Sequence, residues 1–100
     1  MESTRPDRVI YIYRNRGGQF RVFPSPVVVA TGSTVAFKSL SRVAATVELP
    51  FGRSVEVPPD ATVSDTVAIP AGYQGYQEYT VLAGDYEAEG TSPPGFIVDP

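Results

Sequence analysis

Three acidic residues alternate through one polar segment near the C-terminus: Asp85, Glu87 and Glu89, with Tyr86 between the first two. Carboxylate oxygens at this spacing could share a hard cation such as Ca²⁺. The segment has neither the central glycine nor the closing bidentate glutamate of an EF-hand loop. A hydrated acidic loop has the same composition, so the segment is a candidate calcium site and also a candidate partner-binding surface.

A second candidate site is the segment that holds Tyr73, Tyr76 and Tyr79 together with Gln74 and Gln77. Exposed tyrosines beside amides suit carbohydrate or protein recognition, because the ring is apolar and the hydroxyl is polar. The alternative is structural: a tyrosine can anchor a corner of a β-sandwich through a hydrogen bond from its hydroxyl to the backbone. Tyr79 fits the structural role better, whereas Tyr73 and Tyr76 fit both.

Nucleophilic catalysis finds little support in the sequence. Ser39 and Ser41 would need a base, and the chain has no histidine. Lys38 points away from Phe37 if this stretch is a strand, which leaves no Ser–Lys pair. We therefore predict a protein that is not an enzyme, and we keep Arg42, in the loop before Ala45, as a partner-binding candidate.

The absence of both cysteine and histidine excludes further chemistry. No disulfide, thiolate nucleophile, imidazole base or Cys/His metal site can form. An enzyme that uses carboxylates alone would need two acids facing each other across a cleft. Only the segment 85–89 could supply one of them, and we predict no cofactor.

The charge and length of the chain restrict the number of domains and the classes of partner. One hundred residues suit a single domain. The first fifty residues carry seven basic and three acidic residues, and the last fifty carry one and eight, so the halves are +4 and −7 and the total is −3. An acidic chain is not expected to bind nucleic acid. No stretch suits a membrane span, and the polar start, MESTRPDR, is not a signal peptide, which predicts a cytoplasmic location unless a leader has been removed.

Short apolar runs separated by proline and glycine turns predict an all-β fold. We expect a flexible tail over residues 1–8 and one domain over 9–100, an antiparallel Greek-key β-sandwich of about seven or eight short strands. Residues 19–23 are expected to be extended. The predicted strands are Val9–Arg14, Val27–Ala30, Thr34–Ser39, Ala44–Leu49, Ser54–Val57, Thr62–Ile69, Tyr79–Leu82 and Phe96–Val98.

Alternation of apolar residues along these strands predicts the hydrophobic core. Its members are Val9 or Ile10, Ile12, Val22, Val29, Val35, Phe37, Val47, Val57, Val67, Ile69, Val81 and Ile97. The five phenylalanines, at 20, 23, 37, 51 and 96, are also most simply assigned to the core. Pro24 and Pro26 forbid a central ladder position, so the chain is expected to turn or change sheet there.

The order of these motifs resembles a cupredoxin over residues 9–99. The N-terminal half contains Phe23-Pro24, a valine-rich strand, the turn Gly32-Ser33-Thr34-Val35 and then Phe37. The C-terminal half contains Pro70-Ala71-Gly72, tyrosines before a long loop, and a last strand, Gly95-Phe96-Ile97-Val98. The resemblance implies a cupredoxin-like sandwich.

The copper ligands of that family are missing. The resemblance places the first histidine at Ala45, the cysteine at Val81 or Ala83, the second histidine near Gly84 or Tyr86, and the methionine near Pro93. A blue-copper site needs a thiolate and two imidazoles.

We therefore predict a non-catalytic, copper-less domain used for binding or assembly, whose ligand is a protein partner or a second copy. A carbohydrate- or calcium-binding module is the alternative. Partner binding is expected at the end where the loops 40–44 and 83–94 converge.

The first testable prediction concerns metals. Purified protein should contain no stoichiometric copper or zinc, because no thiolate or imidazole is available to hold either ion. Elemental analysis of the protein checks this. One bound copper or zinc per chain would contradict the argument from the missing ligands.

Overall fold

The strands follow the predicted order with several changes. The computed structural model describes residues 6–84, 86–87 and 94–99. Within these residues there is no helix, and hence none long and apolar enough to cross a membrane. The strands are β1 Arg8–Arg14, β2 Phe20–Phe23, β3 Val27–Ala30, β4 Thr34–Ser39, β5 Ala45–Leu49, β6 Arg53–Val57, β7 Val67–Ala68, β8 Gly75–Glu78, β9 Thr80–Ala83, β10 Tyr86–Glu87 and β11 Gly95–Asp99.

These strands form three sheets. Sheet I has the order β2-β1-β4-β7, sheet II has β3-β11-β8, and sheet III has β10-β9-β5-β6. Sheet III is antiparallel, but β1 lies parallel to β4 in sheet I and β3 lies parallel to β11 in sheet II. The all-β class is confirmed, whereas a purely antiparallel arrangement of seven or eight strands is wrong. The parallel pairs arise because long excursions of the chain separate the paired strands.

The chain changes sheet at its first proline pair, as expected. β2 belongs to sheet I and β3 belongs to sheet II, with only Pro24–Pro26 between them. The Phe23–Pro24 and Ser25–Pro26 peptide bonds are both cis. Because proline has no backbone N–H, the ladder of β2 cannot continue through this segment.

One hydrophobic core receives side chains from all three sheets. In β1, Ile10 and Ile12 are buried while their neighbours point outward, and β3, β5 and β11 alternate in the same way. The fold measures 37 × 36 × 20 Å. This thickness fits a β-sandwich, in which two sheets stack about 10 Å apart with their inner side chains packed between them.

Most of the predicted core is buried, but four assignments differ. Ile97 is exposed, and Phe96 and Val98 occupy the core in its place. Phe23 is also exposed, because it lies on the parity opposite to buried Phe20. Val22 and Phe51 are only partly buried and pack against the core from its edge.

Two predicted segments are organised differently from the expectation. The strand predicted at residues 62–69 is reduced to β7 and one bridge between Val63 and Lys38, and Val63 is exposed while Ser64 is buried. Residues 75–78, which were not predicted as a strand, form β8 at the edge of sheet II.

Of the expected tail, residues 1–5 lie outside the described residues, whereas Asp7 is hydrogen-bonded to Thr34 and Arg8 begins β1.

Phe37 provides the test of this core. It is fully buried, and its ring meets that of Tyr79 edge to face at a centroid distance of 5.5 Å. Replacing Phe37 by alanine should lower the free energy of unfolding by about 3–5 kcal/mol, from lost transfer free energy and the cavity that remains. Denaturant titration measures the loss. Phe23→Ala is the matched control and should cost under about 1 kcal/mol because Phe23 is exposed; equal losses would mean that the strand parity is wrong.

Candidate functional site

An open apolar groove lies on the outer face of sheet I. It is lined by Tyr11, Tyr13, Phe23 and Leu40 and has a volume of about 400 Å³. Tyr11 stands directly opposite Phe23 in the β1–β2 ladder. Leu40 follows β4 and is fixed by its backbone N–H, which donates to the carbonyl oxygen of Ile12 at 2.8 Å. Two strands and the start of a loop thus form the groove together.

The groove follows from the alternation of β1. Because Ile10 and Ile12 point into the core, Tyr11 and Tyr13 must point outward. These tyrosines were not among the predicted site residues, although their alternation with isoleucine in VIYIYR is the signal that indicates them. Phe23 is 63% exposed, more than any other large hydrophobic residue of the described chain. A large exposed apolar residue beside two aromatic rings is a feature of binding surfaces.

Two cations border the groove. In the ladders, Lys38 is the partner of Tyr11 on one side, and Arg21 is the partner of Tyr13 on the other. Nη2 of Arg21 donates to the side-chain oxygen of Gln19 at 3.1 Å. Among the described residues, neither cation forms a salt bridge, so both charges remain available to an anionic group.

The charge difference between the two halves of the sequence becomes a charge difference between the sheets. The strands of sheet I contain four basic residues and no acidic ones, which gives +4. The strands of sheet II contain two acidic and no basic residues, and those of sheet III contain three acidic and one basic, which gives −2 for each. The acidic residues of these two sheets are Glu48, Glu56, Glu78, Glu87 and Asp99. Of the four basic residues in sheet I, Arg21 and Lys38 lie on the outer face beside Tyr13 and Tyr11, whereas Arg8 and Arg14 share the parity of buried Ile10 and Ile12 at the ends of β1. The strands of sheet I therefore contribute only positive charge to its outer face.

The predicted binding end lies next to this groove. A Cβ placed on Gly84 would lie 3.6 Å from Cγ1 of Val43, so the loop 40–44 meets the start of the segment 83–94. Arg42 in the first loop is exposed. Leu40 belongs both to this loop and to the groove, which connects the two surfaces.

Ser39 and Ser41 stabilise the backbone of the loop 40–44 through hydrogen bonds. Oγ of Ser39 and Oγ of Ser41 both donate to the carbonyl oxygen of Val43, at 3.1 and 3.2 Å. The backbone N–H groups of Asp60 and Ala61 donate to the carbonyl oxygens of Ser41 and Ser39, at 2.8 and 2.7 Å. Asp60 and Ala61 have φ values of 61° and 62°, in the left-handed region. Both hydroxyls are occupied as donors to the backbone.

The three tyrosines of the second candidate site have different surroundings. Tyr73 is half-buried and packs edge to face on Phe51 at a centroid distance of 4.8 Å. The ring of Tyr76 covers Gly95, where an added Cβ would come within 2.7 Å of its Cζ. Tyr79 is buried in the core. Tyr73 and Tyr79 thus have structural contacts, whereas Tyr76 remains 45% exposed.

The acidic segment lies mostly outside the described residues. Asp85 and Glu89 are not among them, and Tyr86 and Glu87 are described only as β10, which pairs with Ala83 and Leu82. In the described part of the chain, no three Asp, Glu, His or Cys residues are grouped so as to hold a metal ion. The calcium candidate at Asp85, Glu87 and Glu89 stays a prediction.

Comparisons with known proteins leave the function to be argued from the geometry of the chain. No protein-family model matches the sequence, and a search of curated proteins finds no match either.

The burial of Tyr79 changes the titration of its hydroxyl. Burial raises the pKa of its hydroxyl well above the usual value, and nearby Tyr76 adds a smaller contribution in the same direction. The hydroxyl finds no hydrogen-bond partner among the described residues. The expected hydrogen bond from a corner tyrosine to the backbone is therefore not seen there, although the burial of Tyr79 fits the structural role.

We expect Tyr79→Phe to leave the free energy of unfolding at pH 7 unchanged or to raise it by about 1–2 kcal/mol, because a desolvated hydroxyl is removed. Above about pH 10 the unfolded chain loses this phenolic proton while the folded chain keeps it, so stability falls as pH rises, by at most about 1.4 kcal/mol per pH unit. The variant should show a smaller alkaline loss. Denaturant titration at pH 7 and pH 11 measures both effects.

Tyr73→Phe is the control, since it removes a hydroxyl from a half-buried ring and should leave the alkaline loss in place. If Tyr79→Phe cost more than about 1 kcal/mol at pH 7, the hydroxyl would have to be hydrogen-bonded in the folded protein.

Proposed function

We propose that this chain is a non-catalytic, copper-less domain of the cupredoxin-like, Greek-key β-sandwich type, used for binding or assembly. Its binding surface is the groove of Tyr11, Tyr13, Phe23 and Leu40 on the basic face of sheet I. The observation that carries the proposal is the exposure of this aromatic groove beside two cations that make no salt bridge with a described residue.

Two features support the cupredoxin-like part of the proposal. The chain passes from sheet I to sheet II at the proline pair, and β8 and β9, separated only by Tyr79, connect sheet II with sheet III. In addition, Ala45 and Ala83 are direct partners in the β5–β9 ladder, and both are buried. The resemblance assigns a copper histidine to the first position and a copper cysteine either to Val81 or, with the register shifted by two, to the second position. In the shifted register, two methyl groups would meet where that family holds its ion.

The described chain also supports a role without catalysis. The serine hydroxyls beside the loop 40–44 donate to a backbone carbonyl oxygen and not to a base that could activate Ser39 or Ser41 as a nucleophile. The groove itself presents rings and one aliphatic side chain. Such a surface can bury apolar area and orient a partner.

The shape and charge of the groove define the kind of partner it can take. Aromatic side chains bury a large apolar area with few rotatable bonds, which makes them good anchors for binding. Arg21 and Lys38 at its borders attract anionic groups. A partner should therefore present apolar groups together with carboxylates or another anion. The alternative site at Tyr73 and Tyr76 is less favoured, because the ring of Tyr73 is half-buried against Phe51.

Binding of anilinonaphthalene sulfonate tests the groove, because this probe joins an apolar ring system to an anion. At pH 7 and low protein concentration, the folded protein should enhance the fluorescence of the probe in a saturable manner. Phe23→Ser should abolish most of the signal by removing the most exposed ring. Lys38→Gln should weaken binding about two- to fivefold, the effect of one partly exposed charge.

Ala71→Ser is the control, since Ala71 is an exposed apolar residue of the turn before β8 and lies outside the groove. It should leave the fluorescence unchanged. A signal that survives Phe23→Ser, or that develops only when the protein unfolds, would show that the groove is not a binding surface.

A further inference from the structure

We propose that the partner of the groove is a second copy of this chain, and that the outer face of sheet I in one copy packs on the outer face of sheet II in the next. The inference rests on the proposed function, because it uses the same groove and names its occupant. It is drawn from a second exposed apolar surface and from the charges that border the two surfaces.

Sheet II presents its own row of exposed apolar side chains. Val28 and Tyr76 are the ladder partners of Ile97, on its two sides, so the three residues form one row across β3, β11 and β8. They are 54%, 45% and 38% exposed in the order Val28, Tyr76, Ile97. A folded chain that stayed monomeric would leave both this row and the groove of sheet I in contact with water. Contiguous exposed apolar side chains of this kind mark association surfaces.

The charges beside the two rows are opposite. Glu78 and Asp99 are exposed and lie two residues from Tyr76 and Ile97, hence on the same outer face of sheet II. Lys38 and Arg21 border the groove on sheet I. Sheet II has no basic residue in its strands, and sheet I has no acidic one. Apolar groups can therefore meet apolar groups while each cation approaches a carboxylate.

The position of the two faces determines the type of assembly. Both sheets turn their buried side toward the same core, where Phe37 of sheet I is linked to Phe96 of sheet II through the ring of Tyr79. Their outer faces therefore look away from each other. A contact between unlike faces leaves one face of each kind free at the ends, so association proceeds head to tail and does not stop at a symmetric dimer.

Sedimentation equilibrium of the wild-type chain is the first measurement. The weight-average mass should start at the monomer value and rise with concentration beyond twice that value. Added salt should weaken the association, because screening reduces the attraction between the charged borders. A mass that stays at the monomer value up to the solubility limit would overturn the proposal.

Two variants separate the faces. Phe23→Ser damages sheet I only, and Ile97→Ser damages sheet II only. Each variant alone should be monomeric, since its remaining intact face has no intact partner. An equimolar mixture should form a one-to-one complex of twice the monomer mass and grow no further. If Phe23→Ser abolished association and Ile97→Ser did not, the contact would join two groove faces, and the head-to-tail arrangement would be wrong.

A charge-reversal pair is the matched control. Glu78→Lys should weaken association at least tenfold, whereas Glu48→Lys, the same change at an exposed residue of sheet III, should weaken it less than twofold. Equal effects would show that net charge governs the association and would overturn the face assignment.

The binding of anilinonaphthalene sulfonate distinguishes the failure of this proposal from the failure of the proposed function. A monomeric chain that still binds the probe through Phe23 keeps its binding groove and has a different partner.

Discussion

A chain of aromatic contacts joins the three sheets, and the remaining packing depends on it. Phe37 of sheet I meets Tyr79 at 5.5 Å, Tyr79 meets Phe96 of sheet II at 4.8 Å, and Phe96 stacks with Phe51 at 6.1 Å. Phe51 follows β5 of sheet III and packs against Tyr73. Because aromatic rings fill large volumes in a restricted set of geometries, these contacts fix the inward parity of β4 and β11, which carry Phe37 and Phe96. The strands beside them pack against the same core.

The outer surfaces acquire their chemistry through this constraint. When Ile10 and Ile12 are held in the core, Tyr11 and Tyr13 are forced into water, and the same alternation exposes Ile97 once Phe96 and Val98 are buried. The basic residues cluster on one sheet because β1, β2 and β4 are all drawn from the first half of the chain. A charge imbalance along the sequence thereby becomes an imbalance between surfaces.

Local pattern was sufficient to predict most of the strands and most of the buried residues. Thr34–Ser39 and Val27–Ala30 have the predicted bounds, and alternation placed Val35, Val47 and Val81 correctly. The errors at Phe23 and Ile97 have one physical cause. Each lies in a short strand with large apolar residues on both parities, so the sequence offers two similar choices and only packing against the other sheets decides between them.

The groove could not be predicted by the same reasoning, because it is assembled from β1, β2 and a residue after β4 that meet only in the folded chain. The parallel pairing of β1 with β4 was missed for a related reason: it depends on the path of the chain between sheets, which no local pattern encodes. Of the predicted convergence between the loops 40–44 and 83–94, the described residues show the contact of Val43 with Gly84, which follows because each loop continues a strand of known direction.

The ring of Tyr76 over Gly95 has an evolutionary consequence. The glycine leaves a bare stretch of backbone in β11, and the tyrosine shields it from water. A side chain added at residue 95 would collide with the ring and would also come within 2.9 Å of the carbonyl oxygen of Gln77. Shrinking the ring would thus relieve only part of the crowding. In a lineage that preserves this fold, the two positions should be inherited as a pair, and the glycine should be the slower of the two to change.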